Sequence, residues 1–195
     1  MKILVTGRPN VGKTQFVISL AQFYNLKNVI YTFKATNGIK HKRKLSLSDC
    51  SKLLINSTAN HTKNIYDFTI PIKKGKGHIN IALMDSCGIT SEIHHDNTVR
   101  AGIAQAIGHY SDCDAMFHVV DSHNYKQMSS VDEEIYSFGS ELGYYLVLAN
   151  KIDLLFSEMT ISKIKNDFKN TIVLPISAKE GKGLKEVAYY VNKIV

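Results

Sequence analysis

Eight consecutive residues, Gly7-Arg8-Pro9-Asn10-Val11-Gly12-Lys13-Thr14, carry the spacing G-x-x-x-x-G-K-[ST], and each specified position has a chemical reason. Glycines at 7 and 12 accept positive φ and let the backbone come close, so that successive N–H groups can curl around phosphate oxygens. Lys13 would place an ammonium on the β/γ phosphates. The Thr14 hydroxyl is a suitable hard-oxygen ligand for the Mg²⁺ that travels with a nucleotide. Asn10, Val11, Gly12, Lys13, Thr14 and Gln15 are therefore the candidate phosphate-side residues. A nucleoside triphosphate is the implied ligand, and the loop alone does not choose between ATP and GTP.

Three more polar motifs each follow a strand-like apolar run. Met84-Asp85-Ser86-Cys87-Gly88 offers a carboxylate to hold a water of the Mg²⁺ shell and, at Gly88, an N–H for the γ-phosphate. Asn150-Lys151-Ile152-Asp153 offers a carboxylate, Asp153, that can accept the adjacent N1–H and N2–H₂ donors of guanine. Adenine lacks that pair, and a carboxylate left unpaired beside it is costly, so such a site discriminates by on the order of 10⁴-fold. Asn150 can brace the loop, the Lys151 stem can lie over the base, and the backbone N–H of Ala178 in Ser177-Ala178-Lys179 can donate to O6.

These motifs need a scaffold that brings strand ends together. Before the first loop, Lys2-Ile3-Leu4-Val5-Thr6 reads as a strand, and after it Phe16, Val17, Leu20, Ala21 and Tyr24 recur at helical spacing, so the loop opens a helix whose dipole faces the phosphates. Residues 25–61 look like an insertion or extended loop, with Asn37-Gly38 as a turn signal and the basic run Lys40-His41-Lys42-Arg43-Lys44. Within it, Ser46 to Ile55 fits a short amphipathic helix with Leu47, Cys50 and Leu54 on one face. Tyr66, Phe68, Ile70 and Ile72, then Ile79, Ile81 and Leu83, alternate about Lys73-Lys74-Gly75-Lys76-Gly77 as an antiparallel hairpin.

Helical spacing returns in 97–111, and Ala115 to Asp121 reads as a buried strand. Ser130-Val131-Asp132-Glu133 is a capping box for a helix through Leu142 that Gly143 ends. A strand at 144–149, a helix at 161–168, a strand at 171–176 and a helix at 184–194 complete the chain. Alternating strands and helices predict an α/β, doubly wound, mostly parallel sheet with one antiparallel hairpin, helices on both faces, and the ligand at the carboxyl ends of the strands. One domain over residues 1–195 is expected.

The chain has 195 residues, a net charge of +7 and a pI near 9.2, carried more by lysine than arginine. That excess favours RNA, ribosomes or acidic partners without naming one; for Lys40 to Lys44, a solvated face and a nucleic-acid or ribosome contact both stand. Three cysteines without C-x-x-C spacing, Cys50, Cys87 and Cys113, argue for reduced thiols and a cytoplasmic setting. Neither a signal peptide nor a run of about 18 apolar residues is present. Lys2 excludes N-myristoylation, and the last four residues exclude prenylation. His94-His95-Asp96 falls in the expected second switch rather than forming a metal site, and His118 reads as a hydrogen-bonded core residue.

Gly7 to Thr14, Asp85 to Gly88, Asn150 to Asp153 and Ser177 to Lys179 together resemble the motif set of the small GTPase superfamily, among the translation-factor-related phosphate-loop GTPases. The Gly-x-Pro-Asn-x-Gly-Lys loop and the Val119-Val120-Asp121 strand end are similar to its Era/TrmE-like group. Against that group, no RNA-binding or second GTPase domain is expected after the first, and the segment before the hairpin is longer. The resemblance implies GTP/GDP and Mg²⁺ as cofactors, Lys13, Thr62 and Gly88 as catalytic groups, and Thr14, Thr62 and Asp85 around the Mg²⁺. Thr62, rather than Thr58, is taken as the switch threonine because it lies just before the hairpin.

Where many relatives have a water-orienting glutamine this chain has Ile89, which implies slow intrinsic hydrolysis. The group also implies that Asn10 is a ligand for K⁺, and that a nucleotide-dependent dimer is an available partner mode. Three functions remain open: a GTPase, a GTP/GDP-dependent binding module with negligible turnover, and a phosphate-loop ATPase or nucleotide kinase, which Asn150 to Asp153 disfavours.

Overall fold

The computed structural model describes residues 1–34, 39–54, 66–86, 88–89, 108, 110–154 and 158–195. In order these form β1 (Lys2–Thr6), α1 (Lys13–Phe23), β2 (Asn28–Lys34), β3 (Lys40–Ser46), α2 (Leu47–Leu54), β4 (Tyr66–Lys74), β5 (Gly77–Asp85), a 3₁₀ turn at Tyr110–Asp112, β6 (Ala115–Asp121), α3 (Ser130–Gly139), β7 (Tyr145–Asn150), α4 (Glu158–Asp167), β8 (Ile172–Pro175) and α5 (Leu184–Ile194). The strands make one sheet in the order β3-β2-β4-β5-β1-β6-β7-β8.

From β5 through β8 the strands are parallel, and their sequences are near-continuous apolar runs because both faces are covered. Residue parity divides the two cores. Ile3, Val5, Phe117, Val119, Leu146 and Leu148 pack with α1 and α5 on one side. On the other, Leu4, Met84 and Met116 meet Val131 and Ile135 of α3, while Val120, Val147 and Ala149 meet Ile161 and Ile164 of α4.

The β4–β5 hairpin is antiparallel, with Phe68, Ile70 and Ile72 buried on the α1 side and Thr69 exposed on the other. The segment read as an insertion or extended loop is instead ordered over most of its length: β2 pairs antiparallel with both β3 and β4, adding two strands to the sheet. Val29 and Tyr31 bury their side chains in the same core as Phe68. Pairing of β2 with β4 runs no further along β4 than Thr69, two residues short of Pro71, which has no N–H to give a ladder. The short helix expected at 46–55 is α2, with Leu47 and Cys50 buried against α1.

Two boundaries differ from expectation. The cap of α3 is Ser129, one residue earlier: its hydroxyl accepts from the Asp132 N–H at 3.1 Å and donates to Asp132 Oδ2 at 2.6 Å. The helix also stops at Gly139 rather than running to Leu142, and there a Cβ would lie 2.4 Å from the Tyr145 ring. The helix expected at 97–111 falls almost wholly outside the described residues, as do Thr58, Thr62, Cys87 and His94-His95-Asp96. Cys50 and Cys113 are free and buried, and burial, with Asp49 adding to it, pushes the Cys50 thiol up to about 11. Among the described residues no helix is long and apolar enough to cross a membrane.

Candidate functional site

The loop from Gly7 to Gly12 leaves β1 with three residues at positive φ, Gly7 at 137°, Asn10 at 61° and Gly12 at 98°. Glycine is required twice: a Cβ on Gly7 would sit 2.3 Å from the Val119 carbonyl oxygen, and one on Gly12 would sit 2.4 Å from Asn150 Nδ2. Lys13 Nζ reaches back to donate to the carbonyls of Gly7 at 3.1 Å and Arg8 at 2.8 Å, which holds the ammonium over the loop. Val11 is buried, whereas Asn10 is exposed at the loop's outer turn.

Beside the loop, Thr14 Oγ1 donates to Asp85 Oδ2 at 2.6 Å, so the two groups assigned to Mg²⁺ are in contact. Asp85 is fully buried; burial raises its carboxyl to about 6, against the lowering effects of the Thr14 hydrogen bond and the Lys13 charge. Its Oδ1 is buried without a hydrogen-bond partner. A buried carboxylate oxygen left over next to a hydroxyl is the donor set that a hydrated hard cation completes, so these residues fit Mg²⁺.

Without the cation, the raised value means that a charged Asp85 opposes folding above about pH 6. Asp85→Asn should then stabilise the metal- and nucleotide-free protein at about pH 8 by on the order of 2–3 kcal/mol. The gain should fade as pH drops through about 6 and vanish near 4, where the wild-type carboxyl is protonated folded or unfolded. Thermal melts across that range check it, and a variant that melts lower at pH 8 would contradict it.

On the other side of the loop, Asn150 ties two motifs together: its Nδ2 donates to the Val11 carbonyl at 2.8 Å, and its Oδ1 accepts from the Ala178 N–H at 2.9 Å. Ser177 donates to Asp153 Oδ1 at 2.6 Å and accepts from the Glu180 N–H at 3.0 Å, which fixes the carboxylate's direction. Lys151, at φ 72°, extends to Asp121 Oδ2 at 2.8 Å. Burial works to raise Asp121, but the bonds from Lys151 and Asn124 outweigh it and hold this carboxyl below its usual range. Gln15 and Ser19 of α1 both hydrogen-bond to the Ala178 carbonyl. Gly12, Gln15, Asn150, Lys151, Asp153, Leu154, Ala178 and Lys179 line a cavity of about 320 Å³, at the small end of the range for ligand pockets.

Residues 2–151 match the family model described as 50S ribosome-binding GTPase. The chain belongs to this GTPase family. It is 35% identical over 94 residues to GTPase Obg of Lachnoclostridium phytofermentans, a match covering 41% of this chain and 22% of that protein. Among solved structures, Era in complex with MgGDPNP and nucleotides 1506–1542 of 16S ribosomal RNA superposes with a TM-score of 0.63 at 19% identity, covering 99% of this chain and 56% of Era. The G domain of the T. maritima FeoB iron transporter superposes with a TM-score of 0.59 at 18% identity, covering 100% and 98%. At these identities the structural likeness establishes the fold. The chain spans about a fifth of the length of Obg and about half that of Era.

Within this GTPase the expected site residues that are described lie along one rim, the phosphate loop in the middle, Asp85 and Gly88 on one side, Asn150 to Asp153 and Ser177 to Lys179 on the other, while Thr62 lies outside the described residues. Gly88 packs on the loop so closely that a Cβ would come within 2.5 Å of the Pro9 backbone. Ile89 donates its N–H to the Gly7 carbonyl at 3.2 Å and is buried among Leu4, Met84, Tyr110, Met116 and Ile135.

Sequence reading missed a buried polar chain behind the loop. Arg8 Nε lies 3.2 Å from Asp132 Oδ2, an ion pair by distance without an aligned hydrogen bond. Asp132 Oδ1 lies 3.1 Å from His118 Nε2, and His118 Nδ1 lies 2.8 Å from the Tyr145 hydroxyl. Burial first, and the Lys13 and Arg8 charges after it, lower the His118 pKa against the pull of Asp132, so the ring is neutral. Its Nε2–H then donates to Asp132 and Nδ1 accepts from Tyr145. The expectation of a hydrogen-bonded core histidine holds; the one available signal for Asp132 was its place within a capping box.

Proposed function

We propose that residues 1–195 act as a single guanine-nucleotide-binding domain that hydrolyses GTP to GDP and phosphate and changes conformation with the bound nucleotide. The observation that carries this reading is Asn150, which hydrogen-bonds both the phosphate loop and the Ala178 N–H, so that the Asp153 carboxylate and the phosphate-binding amides face a common ligand. Lys13 and the loop amides would hold the β/γ phosphates, Asp153 the guanine edge, and Thr14 and Asp85 the Mg²⁺ shell. Bound there, Mg²⁺ supplies charge neutralisation on the phosphates. Thr62 is assigned as the switch threonine and Gly88 as the γ-phosphate contact. A cytoplasmic location, a place in the Era/TrmE-like group, and a role in ribosome assembly or RNA modification through the basic segment belong to the same proposal, as does a nucleotide-dependent dimer.

The burial of Ile89 favours one variant of this reading, in which turnover is negligible and GTP or GDP mainly sets the shape presented to a protein partner. A side chain held in the core neither donates nor accepts a bond to the attacking water, so position 89 supplies no water-positioning group. Transition-state charge then calls for a cation besides Lys13 and Mg²⁺. Asn10, exposed and at positive φ on the loop, is proposed as a K⁺ ligand. Single-turnover assays with GTP and ATP, in K⁺ and in Na⁺ at matched ionic strength, test the whole reading. Hydrolysis specific for GTP and faster in K⁺ is expected, with the difference lost in Asn10→Ala at nearly unchanged GTP affinity. Equal use of ATP would overturn the base assignment, and equal rates in the two salts would remove the K⁺ site.

A further inference from the structure

The two strands added to the sheet turn the basic run into an ordered surface. In an antiparallel ladder, paired residues point to the same face, so the register of β3 on β2 sorts the cations. His41 and Arg43 lie with Phe33 and Tyr31: the His41 ring stacks on Phe33 with centroids 5.3 Å apart, and the Arg43 guanidinium lies 5.7 Å from the Phe33 centroid. That face continues into the buried core through Tyr31 and Phe68. Lys40, Lys42 and Lys44 take the opposite face, all exposed, in line along the outermost strand of the sheet. Alternate strand residues are ~6.8 Å apart, so the three ammonium groups stand on a rigid row about 14 Å long. Exposed Thr69, Asn80, Lys73 and His78 and half-buried Thr32, Ile30 and Pro71 share this face. Its one acid in the described strands is Asp67, half-buried and in the row of Lys42.

From this arrangement we infer that Lys40, Lys42 and Lys44 form a binding row for the phosphate backbone of RNA. The spacing of the row is close to that of successive phosphates along a nucleic-acid strand. Lysine supplies point charges without base-edge geometry, and the aromatic rings that could stack on bases lie on the other face, so contact is with phosphates and independent of sequence. RNA, rather than an acidic protein, rests on the proposed reading that the family's ribosome binding extends to this chain; it goes beyond that reading in assigning the contact to one face of β3. The competing explanation is structural: lysines on an outer strand keep it from pairing with a second copy.

Charge reversal separates the two, because glutamate protects an outer strand as well as lysine does but repels phosphate. The GDP-loaded full chain is titrated with a fluorescently labelled RNA duplex of random sequence over a range of KCl. Wild type should bind with a steep salt dependence. Lys40→Gln/Lys42→Gln/Lys44→Gln should lower the slope of log K against log salt by about 2–3. Lys40→Glu/Lys44→Glu should weaken binding on the order of tenfold or more while staying monomeric. Lys163→Gln/Lys165→Gln/Lys185→Gln, an equal charge loss on α4 and α5, should change the slope little.

Three results would overturn the proposal: an unchanged slope in the triple variant, an equal fall in the α4/α5 control, or polyglutamate bound as tightly as RNA through the same lysines. GTP binding is measured on every variant. Intact GTP binding without any RNA binding removes this surface and leaves the nucleotide reading standing, whereas RNA binding without GTP binding removes the nucleotide reading alone.

Discussion

Asp153→Asn is expected to bind GTP on the order of 10³-fold more weakly than wild type and to accept xanthosine triphosphate in its place. The carboxylate is aimed by Ser177 and lies in the wall of the cavity beside the phosphate loop, with Asn150, Lys151 and Ala178 around it. An amide there offers a donor where guanine also has donors, so the substitution keeps at most one of the two accepted bonds and turns the other into a repulsive contact. Xanthine carries a carbonyl at the position of the guanine amino group and suits the amide. Competition titrations with GTP, xanthosine triphosphate and ATP give the outcome directly. Retained GTP preference in the variant would mean that the base lies elsewhere.

The largest loss of stability is expected from Asp132→Ala. Asp132 is 1% exposed and serves Ser129, His118 and Arg8 at once. Removing it leaves the buried His118 N–H without a partner, the Ser129 hydroxyl without its acceptor and the Arg8 charge without its counter-ion. Each unsatisfied buried group costs about 1–3 kcal/mol, and the sum is on the order of 3–5 kcal/mol. For a chain of this length that corresponds to a fall in Tm of roughly 10 °C or more. Asp132→Asn, which keeps the shape, should lose less.

Burial would raise the Asp132 pKa, but the His118, Ser129 and Arg8 contacts together hold it below the usual carboxylate range. Its contribution is therefore present above about pH 4 and is lost only as pH falls further, through the depressed folded value. The deficit of both variants relative to wild type should thus narrow in strong acid, most for Asp132→Asn. A Tm unchanged by Asp132→Ala at neutral pH would show that the chain behind the phosphate loop contributes nothing.

The phosphate loop, the hairpin and the central strands were legible because each rests on a local pattern: glycines forced by backbone approach, or apolar alternation set by one or two covered faces. The strand β2 carried a readable signal in Val29, Tyr31 and Phe33. It was obscured by the neighbouring β3, whose Lys-His-Lys-Arg-Lys run has no apolar period because both its faces are wet. That strand exists through its pairing with β2, which no window of its own sequence contains. The role of Asp132 was not legible for a related reason. A Ser-x-x-Glu spacing at Ser130 to Glu133 marks a helix start but not what lies above it, and the arrival of Arg8 and His118 from elements far away in the sequence is what surrounds the carboxylate.

Ile89 sets a mechanical boundary for any nucleotide-driven movement. It is pinned twice, by apolar neighbours from β1, β5, β6 and α3 and by its N–H on the Gly7 carbonyl of the phosphate loop itself. Pulling such a side chain from the core costs about 1.5–3 kcal/mol, which would hold an undocked form to the order of one molecule in ten to one in a hundred. Any movement that undocked this side chain would therefore have to overcome both its burial and its bond to the loop. The isoleucine that stands where a water-orienting glutamine would be thereby fastens the end of β5 to the phosphate loop, and enlarging or shrinking it would change how firmly the two are held together.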